Sequence, residues 1–335
     1  MRVFYNSEHS IHQPPSEVFN GNREDHQEVP QRVEQILNAL KDTDHEVQDV
    51  MPTASQREAL AFTLRQLHQE DYLEYLQNTD FGKEYVYPSV FPYRQESRSS
   101  DHPVAKRGFY SFDLYTPLSN TTFEAASVSA LLAKLAAEST LKDGRVTYAL
   151  CRPPGHHAEP AHMGGYCYLN NGGVAAQTFV NDDPANKVAI LDVDFHHGNG
   201  TEKIFGERED VLTVSLHADP NVKFPFYSGQ DTDEYKSNKN LPLPLGTGSR
   251  EFQHALETGL EAIREHKTTH LVVSYGADTH ESDPIGGFKL TTEYYTEMAC
   301  QIAALNVLVT IVQEGGYNTA ALGHNVVAFL AGFKK

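Results

Sequence analysis

"AILDVDFHHGNGT", residues 189–201, begins as a buried strand and ends as a polar cluster. Ala189, Ile190 and Leu191 form an apolar run, yet Asp192, Asp194, His196 and His197 follow at once. Each of these four is costly to bury without a partner, so packing alone does not account for them. If the chain stays extended, alternation turns Asp192, Asp194 and His196 to one side and His197 to the other. Two carboxylates and an imidazole on one side make a candidate metal site. Asp278, at the end of another apolar run, supplies a third protein ligand. An Asp/His/Asp set leaves a coordination position open, which marks catalytic rather than structural zinc.

The same grammar recurs along the chain. Apolar runs of strand length, "RVTYAL", "KVAIL", "VLTVSL", "HLVVSY" and "VLVTIV", alternate with helical periodicity. That periodicity is clear at Val33, Ile36, Leu37 and Leu40, at Val128, Leu131, Leu132 and Leu135, and at Phe252, Leu256, Leu260 and Ile263. Fully apolar strands between outer-layer helices predict a parallel sheet covered on both faces. Each strand runs into a loop rich in Gly, Pro, His or Asp: "CRPPGHHAEP", "DVDFHHGNG", "HADP", "GADTHESDP" and "QEGGY". Open parallel sheets bind ligands beyond the carboxyl ends of their strands, so the five loops should converge on one site.

Composition sets the bounds. The chain has 335 residues, 39% hydrophobic and 21% charged, which predicts a globular fold. Forty-five acidic against 27 basic residues give a formal charge of −18, and no basic block appears. Nucleic acid is not an expected partner, whereas a small cationic molecule would be drawn to such a surface. The opening "MRVFYNSEHS" has no charged segment followed by an apolar one, and no run approaches the apolar length of a membrane span. The expectation is a soluble, cytoplasmic protein with no membrane association. Cys151, Cys167 and Cys300 lack CxxC spacing and predict neither disulfides nor a cysteine-based zinc site. Residues 78–120, with many aromatics and prolines and little periodicity, read as a loop insertion in an otherwise single domain spanning 1–335.

Two further stretches carry chemistry. His156 and His157 follow "RPPG", and a tandem pair offers one imidazole as general base and a second as electrostatic partner. Each needs an acceptor to fix its tautomer, and Asp192 and Asn199 are the candidates. Tyr317 follows "EGG" at a strand end, where its phenol can donate to a developing oxyanion.

Together "RPPGHHA", "GGYCYLNN", "DVDFHHGNGT", "GADTHESDP" and "EGGY" resemble the arginase/deacetylase superfamily, specifically its histone-deacetylase-like zinc amidohydrolases. The acetylpolyamine amidohydrolase branch is the nearest match, with "SEVFNG" and "SVFPYR" adding a looser likeness. The resemblance implies an α/β, three-layer fold with a central, mostly parallel eight-stranded sheet and long active-site loops. It implies Zn²⁺ on Asp194, His196 and Asp278, with Fe²⁺ fitting the same ligands. It makes His157 general base and then general acid, His156 its electrostatic partner, and Tyr317 the group that polarises the carbonyl. Tyr166 and Phe224 match aromatic walls that grip an aliphatic chain, with Gly165 beside them. Asp192, Ser215 and Leu216 match a structural K⁺ site, and the insertion suggests a homodimer. Glu17 and Asp113 lie in regions that resemble the branch and are candidate contacts for a substrate ammonium. Asn199 stands where some deacetylases have Asp, and His280 and Glu281 make the loop after Asp278 more polar than the branch leads one to expect.

The reaction so implied is hydrolysis of an acetylated polyamine, such as acetylputrescine, acetylcadaverine or acetylspermidine, to acetate and free amine. Rival readings are a protein lysine deacetylase, an arginase-like dimanganese hydrolase and a non-catalytic acetyl-amine binder.

Overall fold

The protein is described by a computed structural model, covering residues 1–89, 101–231 and 235–334. Ten strands appear among these residues. They are β1 (Arg2–Tyr5), β2 (Ser16–Phe19), β3 (Asn22–Asp25), β4 (Glu46–Asp49), β5 (Thr147–Ala149), β6 (Val188–Asp192), β7 (Val211–Ala218), β8 (Asn238–Leu243), β9 (His270–Tyr275) and β10 (Leu308–Gln313). Eight form one sheet in the order β4-β1-β5-β10-β9-β6-β7-β8. Every neighbouring pair in it is parallel. The five strands read from apolar runs are therefore five consecutive strands at the middle of the sheet, and their carboxyl ends share one edge.

Alternation along these strands builds the layers. Ala189, Leu191, Leu271, Val273 and Ile311 enter one core with the helices Gln31–Leu40, Ser249–Glu265, Thr292–Ala303 and Thr319–Ala331. Val188, Ile190, Val272 and Val312 enter a second core on the opposite face. There the helices Ala54–Leu64, Thr122–Asp143 and Asn171–Asp182 cover them. Each fully buried Leu, Ile or Val contributes about 1.5–3 kcal/mol over its exposed state, so both faces hold the sheet. The result is an α/β fold of three layers. No helix of the described residues is long and apolar enough to cross a membrane.

Two expectations need adjusting. The helix Thr122–Asp143 is not an outer-layer element: it is buried on most of its surface, because the helices Ala54–Leu64 and Asn171–Asp182 pack beside it. The stretch 78–120 is not all loop either, for it contains the short helix Pro103–Phe109 and a bridge pairing Val86 with Leu118. Residues 90–100, which carry most of "SVFPYR", lie outside the described residues.

Strands β2 and β3 form a separate hairpin. Its turn residues Asn20 and Gly21 both have positive φ, 48° and 80°. Two-residue turns of that hand match the strand twist, and Asn-Gly supplies it at least cost.

Candidate active site

Strand β6 ends at Asp192, and the chain then bends rather than staying extended. The bend is a side-chain turn: Asp194 Oδ1 accepts the His196 N–H at 2.8 Å. His196 thus reaches Asp194 through a turn and not through the strand pleat. Asp194, His196 and Asp278 come together with one ligand atom of each within 4.8 Å of the others. His196 Nδ1 lies 3.1 Å from Asp278 Oδ2 and 3.3 Å from Asp194 Oδ1.

Backbone groups hold the two carboxylates. Asp194 Oδ2 accepts the Gly315 N–H at 2.8 Å, and Asp278 Oδ1 accepts the Phe195 N–H at 2.9 Å. A Cβ on Gly315 would come within 2.5 Å of both carboxylates. Burial and the neighbouring Asp194 charge push Asp278 up to about 7. Two buried carboxylates this close need positive charge between them. Hard and borderline oxygen and nitrogen donors, three in number and held in a fixed backbone cradle, fit a divalent cation of the zinc type.

The tandem histidines stand beside this triad with ring centroids 4.0 Å apart. His156 Nδ1 meets Asp192 Oδ2 at 2.9 Å, while His157 Nδ1 meets Asn199 Oδ1 at 2.7 Å. Burial opposes charge on His156, but Asp192 and Asp194 outweigh it and raise its pKa to about 10. Burial, and then the charges of His156 and His196, hold His157 well below the usual imidazole value.

Tyr317 lies two residues beyond Gly315. Its N–H donates to Asp283 Oδ2 at 2.7 Å, its ring is 5.7 Å from that of Tyr166, and burial pushes its phenol well above the usual value. The phenol therefore stays a donor. Phe224 stands at right angles to His157, with centroids 5.0 Å apart. Gly165 has a φ of 55°, and a Cβ there would meet His157 Cδ2 at 2.1 Å, so backbone forms that part of the wall. A pocket of about 400 Å³ adjoins these rings, lined by Phe112, Asp113, Tyr115, Phe224 and Tyr227 among others.

Asp113 lines that pocket, and Glu17 sits against the Tyr166 hydroxyl. The Tyr166 O–H donates to Glu17 Oε1 at 3.1 Å, and the Gly165 N–H donates to Asp113 Oδ2. Burial pushes Glu17 up to about 7 and Asp113 up to about 6. Ser215 and Leu216 are on β7, with Ser215 in register with Asp192. The Ser215 hydroxyl is 2.8 Å from His217 Nδ1. His280 turns away to Ser282, 2.8 Å from its Nδ1, and Glu281 is exposed.

Several residues here carry no signal that spacing could reveal. Arg32 is fully buried and donates to the Gly316 carbonyl at 2.7 Å and to Glu28 at 2.9 Å, with its guanidinium 4.8 Å from the Tyr317 ring centre. Arg152 donates to the same Glu28 oxygen at 2.8 Å. Burial pushes Glu314 up to about 7, although it accepts the Gly155 and His156 N–H groups. Glu159 and Tyr227 surround the Asn199 amide.

The chain is similar to known proteins over nearly its whole length. A family model described as the histone deacetylase domain matches residues 26–333. The chain is 36% identical to acetylpolyamine amidohydrolase 1 of Pseudomonas aeruginosa, over 100% of this chain and 99% of that one. It is 38% identical to the acetylpolyamine amidohydrolase of Mycoplana ramosa, over 99% of each. A crystal structure of acetylpolyamine aminohydrolase from Burkholderia pseudomallei superposes with a TM-score of 0.90 at 31% identity, covering 99% of this chain and 98% of that one. With the Asp/His/Asp cluster and the paired histidines at the edge of such a sheet, the chain belongs to the histone deacetylase domain family.

Proposed function

We propose that this protein is an amidohydrolase that removes acetyl groups from acetylated polyamines, releasing acetate and the free amine. One observation carries the reading: an Asp/His/Asp cluster with two buried carboxylates, next to a tandem pair of histidines of which one faces a carboxylate and the other an amide. The relatives named as acetylpolyamine amidohydrolases, similar over nearly their whole length, supply the substrate class.

Asp194, His196 and Asp278 would hold Zn²⁺, and Fe²⁺ suits the same donors. Bound there, the ion supplies Lewis-acid polarisation of the amide carbonyl and of the attacking water. His157, neutral and oriented by Asn199, takes the proton from that water and returns it to the leaving nitrogen. Tyr317 donates its phenol proton in a hydrogen bond to the oxyanion that develops on the carbonyl. His156, charged beside Asp192, adds positive potential without giving up its proton.

Tyr166, Phe224 and Gly165 form the slot for the aliphatic chain. Glu17 and Asp113 are the carboxylates that would meet a substrate ammonium, whose charge favours their ionised forms. Asp192, Ser215 and Leu216 would carry the structural K⁺. The 335 residues act as one deacetylase domain, assembled as a homodimer in the cytoplasm.

The test is a panel of acetylputrescine, acetylcadaverine, acetylspermidine and acetyl-lysine peptides assayed for acetate release by the zinc-loaded protein. Higher kcat/KM on the acetylated polyamines is the expected result. A peptide turned over as well as every polyamine would make this a protein lysine deacetylase instead.

A further inference from the structure

We propose that Glu159 and Tyr227 are positioning residues that lock the Asn199 amide in one orientation and thereby fix which ring nitrogen of His157 carries the proton. The proposal rests on the reading of His157 as general base.

An amide is nearly symmetric in shape but not in chemistry, for one end only accepts and the other only donates. If the Asn199 amide turned over, its NH₂ would face His157 and call for the other tautomer. Nothing about Asn199 alone forbids that. Its neighbours do. Asn199 Nδ2 lies 3.0 Å from Glu159 Oε1 and 2.9 Å from the Tyr227 hydroxyl oxygen. An ionised carboxylate is acceptor only, so the end facing Glu159 must be the NH₂. The Tyr227 O–H donates to the same Glu159 oxygen at 2.9 Å, which leaves its own oxygen free to accept from Asn199. The triangle closes with every donor matched to an acceptor.

What remains for His157 is the carbonyl end, Asn199 Oδ1, at 2.7 Å from Nδ1. Only an N–H can satisfy that oxygen, so the proton sits on Nδ1 and Nε2 keeps its lone pair. That is the form a general base must have. Glu159 is 7% exposed. Burial pushes its carboxyl up, yet the hydrogen bonds from His162, Asn199 and Tyr227 outweigh this and hold it below the usual range, so it stays ionised.

The backbone fixes the Glu159–Asn199 side of the triangle, which Tyr227, 57% exposed, closes from outside. Glu159 is two residues past His157, and Asn199 opens the helix Asn199–Phe205. A Cβ on Gly200 would come within 2.3 Å of the Ala158 carbonyl oxygen, so that helix start lies directly on the segment joining His157 to Glu159. The carboxylate that a His–Asp pair would place against the imidazole is here moved one hydrogen bond outward. A neutral group touches His157, and the charge behind it sets direction.

The test uses the zinc-loaded full chain, with histidine ¹⁵N shifts read by NMR and kcat and KM read separately on acetylputrescine. In the wild type, His157 should show one tautomer protonated on Nδ1. Glu159→Ala should move its two ring shifts toward an average and lower kcat by about 10–100-fold with KM within about twofold, the scale for losing an outer partner of a catalytic group. Glu159→Gln, which keeps an acceptor, should recover most of the loss. Should Glu159→Ala fail to fold, Tyr227→Phe gives the same shift change in weaker form. Unchanged His157 shifts in the variant that folds would overturn the proposal, as would a loss confined to KM. The shifts decide it even if the wild type releases no acetate, which would sink the amidohydrolase reading alone.

Discussion

His156 and His157 are neighbours in sequence, equally buried and 4.0 Å apart, yet their environments drive them in opposite directions. The difference lies in the charges around two equally buried rings: the carboxylates of Asp192 and Asp194 outweigh burial at His156, whereas at His157 burial is reinforced by the positive rings of His156 and His196. His156 faces a carboxylate and is held charged; His157 faces an amide and is held neutral. Their charges are also coupled, because a positive His156 itself discourages a second positive ring beside it. Two titratable groups pushed apart in this way mark out a proton-transferring ring and a fixed charge more firmly than either residue does alone.

The comparison can be broken at three points. The largest effect should come from removing the neutral ring: His157→Ala should lower kcat by about 10²–10⁴-fold, the range for general acid–base groups. His156→Ala should cost less in kcat and more in stability, since it strands Asp192. Equal kcat losses from the two, measured by acetate release, would erase the distinction between the rings.

The charged ring is tested next. Asp192→Asn should destabilise the protein by about 3–5 kcal/mol, the scale for breaking a buried ion pair from one side. Its signature is in the pH dependence. His156 is raised from 6.5 to about 10, so its contribution is fully present below pH 6.5 and is lost as pH rises through about 10. Thermal melts of the wild type should therefore lose stability across that window. The slope should flatten in Asp192→Asn, and a slope unchanged from wild type would show that the carboxylate does not hold the proton.

The smallest effect sharpens the comparison by making the two pairs alike. Asn199→Asp places a carboxylate against Glu159, whose oxygen is 3.0 Å from the present amide nitrogen. Like charges at that distance should destabilise the variant, and adding Glu159→Gln should restore it. Denaturation of the four proteins in the cycle should give a coupling of about 0.5–3 kcal/mol. Strict additivity would mean that the two side chains do not sense each other.

The parts of the fold and site that could be read from sequence are those with short-range signatures. Five central strands announced themselves because both of their faces are buried and their residues are mostly apolar, with only short polar side chains or a strand-end His, Asp or Gln among them. The edges did not. β4, "EVQD", is exposed throughout, and β8, "NKNLPL", mixes polar residues with a proline. Sheet edges are kept polar and interrupted to prevent further pairing, and the same device hides them from an apolar reading. β1 is only four residues long. The Asn20-Gly21 turn was a legible hairpin signal, although the strands beside it are too polar to stand out.

At the site, Asp192 and Asn199 were recognisable as tautomer partners because a buried imidazole must have one. Glu159 and Glu314 sat within quoted motifs, but their roles depend on contacts across the fold that no spacing encodes. The turn at Asp194 was hidden for a similar reason. Strand alternation and a side-chain turn both bring His196 to the same side, so the sequence pattern could not tell them apart.

The Arg32 contact has a consequence for biosynthesis. Glu28 joins Arg32 and Arg152, and Arg32 in turn holds the carbonyl of Gly316, 284 residues later in the chain. A ribosome delivers the arginine first and its acceptor 284 residues later. Two guanidinium groups and one carboxylate must therefore wait in a chain that has no tyrosine loop for them to hold. The loop carrying Tyr317 is fastened only after every described strand of the sheet has been made, so partial chains that stop before it, however much of the sheet they contain, cannot build the finished pocket.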